Sequence, residues 1–238
     1  MHQYTGGTSA LMLYSMKHYD FQGRKMWAAD SFGGLPASVA QDDVGGDNSV
    51  GKAVGGAGKW SASLRQFKQT LHSVGVLDRT RLNVLKGWFN ETLPTAPIDQ
   101  IAFLRLDGDL YVSTKDALDS LYDKLAVGGI IYLDDYGSFP GCQRAVDEFR
   151  LARGYNEPMF AVPNKHLNLY AKSPRETKYE AVWWVKGSGP HPDGVQCPGN
   201  LRVDHDWNMG ALPSKCWGEG IMYSSGAMQK PGHLMVSQ

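Results

Sequence analysis

Several familiar signatures are missing from these 238 residues, and each absence narrows the field. No run of 18 apolar residues occurs, so neither a transmembrane helix nor a membrane partner is expected. The first residues, Met1-His2-Gln3-Tyr4-Thr5-Gly6-Gly7, lack the basic and apolar regions of a secretory signal. There are only three cysteines, Cys142, Cys197 and Cys216, with no C-x-x-C pair. That is too few for a disulfide framework and the wrong spacing for zinc, so a reducing cytoplasmic setting is the default. A Cys197–Cys216 disulfide in an exported protein is the minor alternative. Net charge is also lacking, since 24 basic residues balance 24 acidic ones. That balance argues against a nucleic-acid partner. G-x-S-x-G, P-loop and Rossmann G-x-G-x-x-G patterns are all absent.

What is present is alternation. Residues 8–19 have helical spacing, and Lys25-Met26-Trp27-Ala28-Ala29 reads as a strand ending at Asp30. Residues 41–59 are rich in Gly and acidic residues, which suits a mobile loop over a site. Ser61 opens a helix whose inner face is Leu64, Phe67, Leu71 and Val74. Residues 81–85 form the next strand, leading to Gly87-Trp88-Phe89. Residues 101–106 are a continuous apolar strand broken only by Arg105. Ser113-Thr114-Lys115-Asp116 resembles a capping box, and Gly128-Gly129 is expected to stop the helix that follows. Residues 130–133 are another strand. Residues 141–153 are a helix with Cys142, Ala145, Val146 and Phe149 inward. Residues 159–162 and 181–186 suit an antiparallel pair.

Two divisions follow: residues 1–186 as one α/β domain, and 187–238 as an irregular, poorly ordered tail. Strand alternating with helix predicts a parallel sheet with helices on both faces. Ligands in such sheets bind beyond the carboxyl ends of the strands, where Asp30, Gly87, Asp107 and Asp134 fall. Asp107, Asp134 and Asp135 are hard oxygen ligands suited to Mg²⁺ or Ca²⁺, although acids at strand ends also serve as helix caps. Asp109 suits a cap or orienting group for the next helix. Asp30 is placed to accept hydrogen bonds from a ribose diol, or simply to begin a turn. Gly87 and Trp88 could receive a flat ring, while core packing is the better reading of Phe89.

In combination these segments resemble one family. They are Trp27-Ala28-Ala29-Asp30-Ser31-Phe32-Gly33-Gly34-Leu35-Pro36, Gly87-Trp88-Phe89 with Thr92-Leu93-Pro94, Leu104-Arg105-Leu106-Asp107-Gly108-Asp109-Leu110-Tyr111, Gly128-Gly129 and Asp134-Asp135-Tyr136. Together they are similar to the macrocin O-methyltransferase (TylF/MycF-type) family over residues 6–186. The resemblance implies a Rossmann-like class I methyltransferase sheet and Mg²⁺-assisted methyl transfer from S-adenosylmethionine. The implied acceptor is a hydroxyl of a small molecule, often a glycoside of a natural product. It also implies metal-binding roles for Asp107, Asp134 and Asp135. Asp30 would meet the donor's ribose, with Ser31, Gly87 and Trp88 near its adenosine. Asp107 is the candidate catalytic group, with water as the other candidate base. A homo-oligomer is compatible with the family.

The resemblance further implies a central strand with a Glu-x-Gly signature just before Gly6-Gly7. His2 stands where the signature's glycine is expected, so the sheet is expected to lack its first strand. A fragment, a misplaced gene start or a degenerate, non-catalytic copy are the corresponding expectations. The competing enzyme reading is a metal-dependent nucleotide-sugar transferase, because Asp107-Gly108-Asp109 has the D-x-D form. The residues of the 41–59 loop are expected to shape acceptor choice.

Overall fold

The computed structural model describes residues 5–20, 22–37, 57–163, 179–187 and 233–237. The expected 41–59 loop, apart from its last three residues, and both cysteines of the tail lie outside the described residues. In chain order the elements are α1 (Gly7–Tyr19), β1 (Met26–Asp30), α2 (Leu64–Ser73), β2 (Leu82–Lys86) and the single turn α3 (Phe89–Thr92). Then come β3 (Ile101–Leu106), α4 (Tyr111–Leu121), β4 (Leu125–Leu133), α5 (Pro140–Arg153), β5 (Phe160–Pro163), β6 (Tyr179–Val185) and β7 (His233–Ser237).

The seven strands form one sheet in the order β2-β1-β7-β3-β4-β6-β5. β2, β1, β7, β3 and β4 are mutually parallel, whereas at one edge β6 runs antiparallel to β4, and β5 runs antiparallel to β6. Strand β1 shows why helices cover both faces. Its Met26 and Ala28 pack with Ala10, Leu13 and Met16 of α1 and with Phe67 and Leu71 of α2. Its Ala29, one step along, turns to a second core with Leu118 and Leu121 of α4 and Val146 of α5. Successive strand side chains face opposite ways, so a strand apolar on both sides needs cover on both.

Three local expectations change. The helix after Ser61 begins at Leu64, because Ser63 makes the reciprocal capping box with Gln66. Phe67 and Leu71 are buried as the spacing predicts, but Val74 follows the helix and is exposed. Ser113 caps nothing. Asp109 takes a left-handed conformation (φ 54°), which turns the chain early enough for α4 to start at Tyr111 with Leu110 before it. Gly128-Gly129 does not end a helix. After α4 a 3₁₀ turn at Tyr122–Lys124 leads straight into β4, and both glycines lie inside that strand. A Cβ on Gly129 would stand 2.8 Å from the Ala126 oxygen and from Leu125 Cδ1, so close packing explains the residue.

β7 matters most for the site. Among the described residues no strand precedes α1, yet the sheet has no gap. Met26, Trp27, Ala28 and Ala29 of β1 register with residues 234–237, and Ile101, Phe103, Leu104 and Arg105 of β3 with residues 233–236. The place between β1 and β3 is filled from a stretch in which the sequence suggests no order. His233-Leu234-Met235-Val236-Ser237 is too short to show a period, so only its tertiary position defines it as a strand.

Candidate functional site

The carboxyl ends of β1, β3 and β4 converge on one edge of the sheet. After β1 the chain proceeds outward to β2, and after β3 it proceeds the other way to β4, so the order reverses between β1 and β3. That reversal is where an open α/β sheet leaves a crevice.

On the β1 side, Asp30 is half-buried and its Oδ1 accepts a hydrogen bond from the Phe32 N–H at 2.5 Å. Burial raises its pKa to about 6, against the Phe32 bond and with a smaller push from Asp107. Ser31 serves the turn: its hydroxyl donates to the Gly34 carbonyl and accepts from the Gly33 N–H, each at 3.0 Å. Gly34 needs its positive φ of 85°, and a Cβ there would strike the Lys59 oxygen at 2.4 Å. The Leu35 N–H donates to that same oxygen and the Gly58 N–H to the Leu35 carbonyl, tying residues 57–60 to the Asp30 turn. Trp60 at the end of that segment meets the Phe139 ring edge-on, 6.4 Å between centroids, at the start of α5. Gly87 (φ 147°) donates its N–H to the Asp30 carbonyl, and Trp88 beside it is 40% exposed, open to a ligand. Phe89 packs against the core, as expected.

On the β3–β4 side the acids crowd together. Single oxygens of Asp107, Asp109 and Asp135 lie within 4.8 Å of one another. Arg105, only 4% exposed, reaches into the group: its Nη1 donates to Asp107 Oδ2 at 2.7 Å and its Nη2 forms an ion pair with Asp134 Oδ2 at 2.9 Å. The Asp109 N–H donates to Asp135 Oδ2 at 3.1 Å. Burial opposes charge on Arg105, but Asp107 and Asp134 outweigh it and its pKa is raised. One guanidinium does not neutralise four carboxylates. Burial, then Asp107, lifts Asp109 to about 7; burial, then Asp109, lifts Asp135 far above the usual carboxylate range. Three carboxylates so close together are a group that could hold a hard divalent cation, whose charge would favour their ionised forms.

Each site residue expected from sequence therefore lies at this edge. Asp30, Ser31, Gly87 and Trp88 make one bank, and Asp107, Asp134 and Asp135 the other. Asp107 and Asp134 both pair with Arg105, but Asp107 also belongs to the cluster of three, which includes Asp109 and not Asp134. Sequence reasoning missed Arg105, treated only as an interruption of β3. A charged residue one step inside an apolar strand, two before an Asp, was the available signal. Trp60 carried no signal at all.

Known proteins resemble this chain in sequence and in fold. The family model for macrocin-O-methyltransferase (TylF) matches residues 3–168. Demethyldecarbamoylnovobiocin O-methyltransferase of Streptomyces niveus is 41% identical over 145 residues, 61% of this chain and 54% of that protein. Mycinamicin III 3''-O-methyltransferase of Micromonospora griseorubida is 35% identical over 158 residues, 66% and 61% respectively. This chain thus spans little more than half the length of these curated relatives. Among solved structures, the O-methyltransferase NovP superposes with a TM-score of 0.60 at 33% identity, covering 77% of this chain and 68% of that one. The calicheamicin methyltransferase CalS11, TM-score 0.56 at 21% identity, shares the fold. These matches leave the nucleotide-sugar transferase reading of Asp107-Gly108-Asp109 without support. The chain belongs to the macrocin O-methyltransferase (TylF) family.

Proposed function

We propose that the protein is an S-adenosylmethionine-dependent, Mg²⁺-assisted O-methyltransferase acting on a hydroxyl of a sugar or other small natural product. The observation that carries this reading is the pairing of banks: a half-buried strand-end acid at Asp30 faces a crowded carboxylate cluster across the sheet's switch point. When bound, S-adenosylmethionine supplies an electrophilic methyl on a cationic sulfur, and Mg²⁺ supplies a positive point that orients an alcohol and lowers its pKa.

The chain's own residues do the rest. Asp30 accepts the ribose hydroxyls, while Gly87 and exposed Trp88 offer backbone and ring faces to the adenine. Asp107 and Asp135 hold the cation. The resemblance names Asp134 as the third ligand, whereas the side-chain geometry brings Asp109. Arg105 pairs with Asp107 and Asp134 and so stands in the cluster as a positive group that a cation would have to compete with. For its oxygen to take a methyl group, the acceptor hydroxyl would have to give up its proton. Asp107, directly or through water, would receive it. Because the donor would bring an already reactive methyl group, the main task of these residues would be positioning.

A glycoside acceptor is favoured by what relatives act on. One of 36% identity, from Streptomyces olivaceus, is named as the 4'-O-methyltransferase of a dimethoxy-rhamnosyl tetracenomycin. Calorimetric titration with S-adenosylhomocysteine and with MgCl₂ tests the reading. Binding of both supports it, and binding of neither overturns it in favour of a non-catalytic methyltransferase fold.

A further inference from the structure

We propose that strand β7 forms the floor of the methyl-donor pocket, its carboxyl end lying between Asp30 and Asp107 and presenting main-chain groups to the donor. The inference rests on the donor reading above and adds to it a segment far from the other site residues in sequence.

Position is the first argument. The crevice of an open α/β sheet opens above the strands where connectivity reverses direction. In this sheet the reversal falls between β1 and β3, and β7 is the strand found there. Register is the second. Ser237 is level with Ala29, one residue before Asp30, and Val236 is level with Arg105, two residues before Asp107. The strand therefore ends flush with both acids, under the gap that separates the donor bank from the metal bank. Polarity is the third. β7 runs parallel to both neighbours, so its carboxyl end and not its start faces the crevice.

Reach is no obstacle. β6 is antiparallel to β4 and ends at the edge where the parallel strands begin, which is also where β7 starts. The distance from β6 past β4 and β3 to β7 is three strand spacings, about 14 Å. About five extended residues would cover it, and residues 188–232 are available. Ala29 and Leu104 provide the fourth argument. Both are fully buried on the strands flanking β7. An empty slot between them would leave two inner ladders unpaired, which a buried sheet does not tolerate.

Hydrogen exchange on the full chain, with and without S-adenosylhomocysteine, tests the proposal. The amides of residues 234–236 are expected to exchange at least about 100-fold more slowly than in an unstructured peptide. The ligand should slow residues 235–237 and 30–32 further. A chain ending at residue 232 should lose calorimetric binding of S-adenosylhomocysteine. Three results would overturn the proposal alone, with binding by the full chain intact. They are unprotected 234–236 amides, no ligand effect on 235–237, or undiminished binding by the shortened chain. Failure of the full chain to bind S-adenosylhomocysteine would instead overturn the donor reading, and with it the donor role of β7, even with the strand protected.

Discussion

Replacing Arg105 with methionine should expose how the acidic edge is held together. The guanidinium is 4% exposed and pairs with Asp107 at 2.7 Å and with Asp134 at 2.9 Å. Breaking a buried pair by removing one partner costs about 3–5 kcal/mol, because the remaining charge is stranded. Here two carboxylates lose their guanidinium, yet their side chains keep 14% and 10% exposure, so some water reaches them. We therefore expect a loss of about 3 kcal/mol without metal, a large part of the roughly 5–15 kcal/mol that holds a domain folded. Cation binding should offset part of this. An ion at 100 times its dissociation constant adds about 2.7 kcal/mol. Removing the competing guanidinium should tighten the ion's hold, so MgCl₂ should stabilise Arg105→Met more than the parent. Urea unfolding in EDTA and in MgCl₂ measures both effects. Arg105→Lys, which keeps the charge but loses the fork, should lie between. A loss below about 1 kcal/mol in EDTA, or a larger Mg²⁺ effect on the parent, would refute the reasoning.

Four further outcomes follow from the structure. Asp109→Asn and Asp134→Asn, titrated with MgCl₂ by calorimetry, should differ: the acid that completes the ligand set loses binding about 10-fold or more, and the other does not. The Asp30 carboxyl, raised to about 6, keeps its proton in the folded state at pH values where the unfolded chain has released it. Its ionisation thus costs stability above about pH 6, and that cost disappears as pH falls toward 4; Asp30→Asn should unfold at higher urea than the parent at pH 8, with the advantage gone near pH 4. S-adenosylhomocysteine affinity should run the other way, weakening as pH drops through about 6 in the parent but not in Asp30→Asn. Gly129→Ala places a methyl 2.8 Å from the Ala126 oxygen and should cost about 1–3 kcal/mol by thermal unfolding.

Sequence disclosed the sheet where periodicity and composition agreed. The apolar run at residues 101–106 is β3 to the residue, and the inward face of α5 was readable from Cys142, Ala145, Val146 and Phe149. It disclosed less where one residue overrode a pattern. Asp109's left-handed backbone starts α4 two residues ahead of the apparent Ser113 box. Gly128-Gly129 looked like a helix stop because glycine ends helices, but at Gly129 the absent side chain makes room for Leu125 and Ala126. The acids of the site were visible as strand-end residues. Their division of labour was not, because it depends on which oxygens Arg105 claims, and side-chain pairing across strands leaves no mark on linear spacing.

The position of β7 also governs how the chain can fold. Met26 pairs with Leu234, and β7 is the sole described strand ladder joining the β2-β1 side of the sheet to the β3-β4-β6-β5 side. The paired residues are about 200 positions apart, so contact order is high and closure of the sheet is slow. Until then each half presents an inner strand edge and apolar faces to solvent. Those are the surfaces on which growing chains aggregate and chaperones act. Production of this protein should therefore depend more on slow synthesis and holding factors than its ordinary size and neutral charge suggest.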